Sequence, residues 1–246
     1  MYKPHATFIQ PPSGELRVWR YMDFTKLVDL LDSSALYFTR ADKFEDAFEG
    51  SYPKLNVTGR FGSEGASEDR ERLDAQMSDF AKNTVKFYAI NCWHLNEHES
   101  AAMWRLYLQS NEGIAVQSTY GSLKDSLIDD EDIFLGSIKY IDYEKEWFDG
   151  SNLLAPYVHK RLSFEHEKEV RAVVCRFPDR QGLDWKDFPT IEHGLKIKVD
   201  LEKLINAIYV APSSPGWFVE LVKSVVIRFG FNFPVCHSDL AQQPVY

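Results

Sequence analysis

Phe164-Glu165-His166-Glu167-Lys168-Glu169-Val170-Arg171, followed by Ala172-Val173-Val174-Cys175, is the stretch on which the fold reading turns. Val170, Ala172 to Cys175 and Phe177, closed by Pro178, have the composition of a buried strand. Glu165, Glu167 and Glu169 are then delivered at its mouth. In an extended chain, residues two apart share a face, so Glu167 and Glu169 are expected to point the same way, with Lys168 and Val170 on the other side. Like charges that close repel unless a cation sits between or in front of them. The pattern therefore asks for a cation, a ligand or a raised pKa. The plainer alternative is a solvated strand end with Arg171 or Lys168 as partners.

Working outward, the 246 residues, 44% hydrophobic, suffice for a full core. No stretch has the apolar length that crosses a bilayer, and Met1-Tyr2-Lys3-Pro4-His5 lacks the apolar centre of a signal peptide, so a cytoplasmic location is expected. Cys92, Cys175 and Cys236 lie in apolar runs without a C-x-x-C spacing, which reads as free thiols in a reducing compartment. A formal charge of -9 argues against nonspecific nucleic-acid binding, which needs a basic surface. Lys160, Arg161, Lys168, Arg171, Arg176 and Arg180 nevertheless cluster in sequence and leave a local anion site open.

In chain order, residues 1–14 read as an N-terminal arm ending at Pro11-Pro12-Ser13-Gly14, and residues 15–246 as one domain. Leu16 to Tyr21 alternates as a half-buried strand does, Asp23 or Thr25 caps a helix with Leu27, Leu30 and Leu31 on one stripe, and Ala35 to Thr39 is a second strand. Arg40 to Gly50 is expected to fold back on the sheet, with Phe44 and Phe48 inward and Asp46 and Glu49 facing Arg20 or a pocket. Residues 51–66 read as a lid or insertion, and Ser67 onward as a packing helix with Leu73, Met77 and Phe80. Further strands are expected at Phe87 to Trp93, Ile114 to Gln117, Phe134 to Ile141, Leu195 to Val199, Ala207 to Ala211 and Pro234 to His237. Further helices are expected from an Asn96–Glu99 cap through Leu108, from Leu153 to Leu162, and from Gly216 to Phe229. The sum is an α+β chain with a mostly antiparallel, split sheet and packing helices.

Several of these residues together carry a resemblance. Arg20-Tyr21, then Leu36-Tyr37-Phe38 with Phe44, Asp46, Phe48, Glu49 and Gly50, then Met103-Trp104 with Tyr107 and Gly113, then Lys160 and Phe164 with Glu167, Glu169 and Arg171, resemble the prokaryotic family known as domain of unknown function 2971. The likeness runs from about residue 16 to the C-terminus. Cys92-Trp93-His94 departs from it, a Phe-Ser-like pair being expected after that cysteine.

The order of parts also resembles that of ADP-ribosyltransferases: a basic residue on the first strand, a short helix, a second strand of the form Leu-Tyr-Phe-Ser/Thr, and later a Glu-x-Glu opening another strand. That resemblance implies an ADP-ribosyltransferase-like fold with NAD as cosubstrate and an unknown acceptor. It gives Arg20 the dinucleotide phosphates or ribose, with Arg17 in reserve, and Tyr37 or Thr39 the nicotinamide. It gives Glu169 or Glu167 the nicotinamide ribose, Glu169 being preferred as nearer the dry strand. A carboxylate beside the ribose stabilises oxocarbenium character, and a cation anchors the pyrophosphate. Trp104 and Tyr107, one helical turn apart, are candidates for an aromatic wall. Such a site requires Arg20 and Glu169 to converge on one face of the sheet.

Two other classes compete. His94-Leu95-Asn96-Glu97-His98 matches H-x-x-E-H, an inverted zinc-peptidase motif, with Glu169 as a third ligand. That motif needs both histidines on one continuous helix, whereas His94 ends an expected strand. The other class is a noncatalytic interaction or sensing module, in which the glutamates pair with Arg20 and Arg171 inside the fold. An open pocket in front of Glu169 separates an enzyme from a packed structural cluster.

Overall fold

In a computed structural model that describes residues 1–60, 68–107, 111–178 and 185–245, Arg17–Asp23 forms strand β1. Asp23 ends it by accepting a hydrogen bond from the Lys26 amide, which caps helix α1 (Phe24–Ser33). Ser34, left-handed at φ 47°, turns the chain back into β2 (Ala35–Arg40). Then come α2 (Lys54–Thr58), α3 (Glu68–Thr84), β3 (Tyr88–Leu95), α4 (Ala101–Tyr107), β4 (Gly113–Thr119), α5 (Tyr120–Ser126), β5 (Ile133–Ser137) and β6 (Lys139–Ile141). The chain closes with β7 (His159–Arg161), β8 (Glu169–Cys175), β9 (Gly194–Lys198), α6 (Leu201–Leu204), β10 (Ala207–Val210), α7 (Gly216–Arg228) and β11 (Val235–His237).

The architecture is α+β, a mostly antiparallel sheet with packing helices. Nine strands form one sheet along the path β11-β10-β4-β1-β3-β2-β9, with β8 on β3 and β5 on β8. Within it, β10 and β11 are parallel and the other pairs antiparallel. β6 and β7 make a separate parallel pair. Strand β8 is covered on both edges, by β3 and β5, and its Val170 and Ala172 to Val174 are fully buried, as an unbroken apolar run requires. One face of the sheet, with Val18, Val116, Val170, Ala172 and Ile208, packs on Leu27, Leu31, Leu123, Leu204, Phe218 and Val222 of α1, α5, α6 and α7. The opposite face carries two smaller clusters, one of Trp19, Tyr21, Ala115, Met103 and Trp104, the other of Phe8, Tyr88, Ile90, Tyr157 and Val173.

One edge of β3 is shared between two neighbours, and this splits the sheet. Leu95 and His94 lie opposite Val18 and Trp19 of β1, whereas Ile90 and Ala89 lie opposite Thr39 and Arg40 of β2. Along Asn91-Cys92-Trp93 the two neighbours part. The backbone groups there need other partners, and the fork so formed positions the candidate site.

Several expectations are corrected. No helix runs from Leu153 to Leu162: Pro156 has no amide to donate, Tyr157 makes a tight bond to the Leu154 carbonyl, and a short 3-10 turn at Ala155–Val158 passes into β7. Phe134 to Ile141 divides into β5 and β6, which join different sheets. Helices α5 and α6 were not foreseen. Helix α3 packs less than expected: Phe80 meets Phe177 edge-on, but Leu73 and Met77 stand exposed, three apolar residues among so many charges making only a narrow stripe. Its expected start, Ser67, and residues 61–66 of the expected lid lie outside the described residues, as do Leu108 and Arg180. Asn96 does not cap α4; Ser100 does, its hydroxyl accepting from the Met103 amide. Along the N-terminal arm, Tyr2 and Ile9 bridge to Ile133 and Ser137, and Phe8 is buried against Phe134.

Candidate functional site

The decisive stretch arrives at its strand by a route that differs from the expected one. Leu162–Glu167 is a 3-10 turn, and Lys168, left-handed at φ 40°, reverses the chain into β8. Glu167 and Glu169 are thus not alternate residues of one strand. Their carboxylates meet nonetheless, because the Lys160 ammonium on β7 bonds both, at 2.5 and 3.2 Å. Arg171, fully buried, donates to Glu169 through Nε at 2.7 Å and Nη2 at 3.2 Å. Its other side takes Glu49 in a two-pronged pair at 2.5 and 2.7 Å. Gly50 makes this reach possible: it is left-handed at φ 72°, and a Cβ there would lie 2.8 Å from the Tyr157 ring. Glu49 therefore serves Arg171 and not Arg20.

The loop carrying Glu49 departs from expectation in one more respect. Phe44 packs inward on the second core, but Phe48 is 43% exposed, its ring lying 4.2 Å from the Arg161 guanidinium. Asp46 pairs with that same arginine at 2.6 Å. A cation over the ring makes an outward phenylalanine tolerable.

Within the network two cations, Lys160 and Arg171, face three carboxylates, Glu49, Glu167 and Glu169. Burial would raise the Glu169 pKa, but Arg171 and Lys160 outweigh it and hold the group down at about 2. Burial wins at Glu49 and at Glu167 and raises both, against the pull of Arg171 and Lys160 respectively. Glu167 is the most exposed carboxylate of the three, with its side chain 19% accessible. Among the described residues no donor reaches its Oε1. Glu169 is different. Its side chain is 4% accessible, both oxygens are engaged, and its amide donates to the Tyr140 hydroxyl at 2.8 Å. Glu169 is packed over.

The expected convergence of Arg20 and Glu169 on one face is not met by the strands. Trp19 lies opposite His94, and His94 opposite Glu169, so Trp19 shares that face and Arg20 leaves β1 on the other. The Arg20 guanidinium then ends at the fork. Nη1 donates to the Cys92 carbonyl at 2.8 Å, and Nη2 makes a longer 3.5 Å contact with the Tyr37 carbonyl, which also accepts from Asn91 Nδ2 at 2.8 Å. Arginine and asparagine thus supply donors to carbonyls that the parting strands leave without a ladder partner. Among the described residues no carboxylate pairs with Arg20, and burial lowers its pKa.

The remaining candidates divide. Tyr37, 41% exposed, and Thr39 project from β2 on the face of Ile90 and Cys92. Tyr107 is half exposed, yet its hydroxyl end is turned inward: burial pushes it up to about 12, Cys92, Glu167 and Glu169 add to the rise and Arg20 opposes it. That hydroxyl therefore senses both the uncompensated cation and the acidic mouth. Trp104 is not a pocket wall; it is 2% exposed, donates to Glu99 at 2.8 Å and packs edge-on against Tyr21. Tyr21, which sequence reasoning missed, stacks on Tyr107 at 6.3 Å. Its alternation with Trp19 on β1 was the available signal. A separate open groove of about 320 Å³ is lined by Asp79, Asn83, Lys86, Phe87, Lys186, Phe188 and Thr190 and includes no residue of the fork.

The inverted zinc-peptidase motif lacks its helix. His94 lies on β3 with Nδ1 at 2.6 Å from the Glu167 carbonyl, and Glu97 and His98 follow outside any helix, Glu97 pairing with Arg17. Among the described residues no three His, Cys, Asp or Glu side chains are grouped to hold a metal ion.

No family model matches the chain, and no curated protein matches it, so the likeness to domain of unknown function 2971 rests on the residues quoted above. One similar solved structure is Thermus sp. 2.9 DarT in complex with NAD+. It is 9% identical, covers 95% of this chain and 100% of its own, and superposes with a TM-score of 0.43, too slight a likeness to carry an argument. Among the described residues no helix is long and apolar enough to cross a membrane.

Proposed function

We propose that this chain is an ADP-ribosyltransferase-like enzyme that binds NAD over the fork between β1 and β2–β3. The observation that carries the reading is that two groups of opposite charge both bear on the Tyr107 hydroxyl, the Arg20 guanidinium, which among the described residues has no carboxylate partner, and Glu167, whose Oε1 meets no donor among them. NAD has the complementary distribution, an anionic pyrophosphate joined to a cationic nicotinamide ring. Arg20 takes the pyrophosphate, Tyr37, Thr39 and Tyr107 take the rings, and Glu167 stands beside the nicotinamide ribose. Glu169 then acts through Lys160, holding the ammonium that aims Glu167.

In the reaction the bond between ribose C1′ and the nicotinamide nitrogen breaks, its electron pair leaves with neutral nicotinamide, and Glu167 stabilises the oxocarbenium-like centre. A nucleophile bearing a hydroxyl, amine or thiol, or water, attacks C1′ and loses its proton. Nicotinamide release should fall about a hundredfold in Glu167→Gln, the order expected when one preorganised catalytic group is lost, while NAD binding persists. Full turnover in that variant would refute the assignment. A noncatalytic module is the second reading, favoured by the saturation of Glu169 and Arg171 inside the fold; it predicts no nicotinamide release under any condition.

A further inference from the structure

His94 is 4% exposed, and its two ring nitrogens are treated very differently. Nδ1 lies 2.6 Å from the Glu167 carbonyl, an acceptor only, so Nδ1 carries the proton and donates. Nε2 is then a bare lone pair, buried without a partner, and burial lowers the pKa of the ring with Lys168 and His166 opposing its charge as well. A buried nitrogen without a donor is unfavourable, so an apolar side chain would suit this position better if packing were the sole demand.

The Nδ1 bond falls on a vulnerable place. Glu167 closes a 3-10 turn, and the next residue, Lys168, holds a left-handed φ of 40° that side chains rarely adopt. The Lys168 amide bonds back to the Glu165 carbonyl, and the Lys168 carbonyl accepts from the Leu95 amide, the residue after His94 on β3. The backbone of Glu167 and Lys168 is thus fastened to β3 at two neighbouring carbonyls, the first held by the His94 side chain and the second by the Leu95 amide.

Resting on the NAD reading above, we propose that His94 is the positioning residue for Glu167: its Nδ1–H fixes the backbone at 167 so that the carboxylate stands at the mouth beside Lys160. Two substitutions separate its nitrogens. Asparagine places an amide N–H near Nδ1 and has nothing at Nε2, whereas glutamine reaches the Nε2 position and leaves Nδ1 empty. Hydrogen exchange at the amides of residues 165–169 should quicken by about tenfold or more in His94→Gln and stay near the wild-type rate in His94→Asn. With NAD as substrate, kcat for nicotinamide release should drop by about tenfold or more in His94→Gln, with KM within about threefold, and His94→Asn should recover most of it. Equal exchange in all three proteins, or loss confined to His94→Asn, would overturn the proposal. A wild type that releases no nicotinamide sinks the NAD reading alone, because the exchange rates still decide whether His94 holds the segment.

Discussion

Arg171 and Glu49, 122 positions apart in sequence, meet in a two-pronged ion pair at 2.5 and 2.7 Å, with side chains 0% and 3% accessible. A charge pair this dry contributes little by existing and costs much when halved, because the survivor is left buried without its partner. Arg171→Met, which leaves the Glu49 carboxylate buried without its cation, should therefore destabilise the fold by about 3–5 kcal/mol. Denaturant unfolding measures it. A loss below about 1 kcal/mol, the range of surface pairs, would mean that the pair is not buried in solution.

Acid should act on the same network with a definite sign. The folded protein holds Glu169 at about 2, below its ordinary value of 4.5, so the stability it contributes is complete above 4.5 and drains away as pH falls toward 2. Glu49 and Glu167 run the opposite way, since their raised values make protonation favour the folded state. Glu169→Gln should accordingly flatten the loss of stability between pH 4.5 and 2. Parallel unfolding profiles for variant and wild type through that window would contradict the assignment.

The sheet could be read from sequence where packing alone shapes it. The β8 run Ala172 to Val174, the stripe Leu27, Leu30 and Leu31, and the Asp23 cap all follow from burial and backbone valence, and each stands where periodicity puts it. What was hidden depended on partners distant in the chain. Nothing local announces that Glu49 crosses to Arg171, that β3 changes neighbour at Cys92, or that Arg20 ends in the plane of the fork instead of on the face of Glu169. The carboxylate pair was recognised for the wrong local reason, since a turn and a left-handed Lys168 replace the extended chain, and Lys160 brings the two acids together.

Tyr37 can be probed through its neighbour. A Cβ on Gly194 would lie 2.5 Å from the Tyr37 hydroxyl and 2.4 Å from the Phe38 carbonyl, so Gly194→Ala must push the ring aside and strain the β2–β9 pairing. The expected cost is about 1–3 kcal/mol of stability, as for other overpacked sites. If Tyr37 also holds the nicotinamide, NAD affinity should fall in the folded variant; unchanged affinity would remove Tyr37 from the site.

The central claim, that a dinucleotide sits on the fork, is met most directly by calorimetric titration of NAD into the wild type and Arg20→Ala. The account predicts saturable binding to the wild type and a loss of about 1.5–3 kcal/mol in the variant, the worth of a hydrogen bond to a charged group, with the fold intact. Absence of heat in the wild type, or equal affinity in the two proteins, would contradict it.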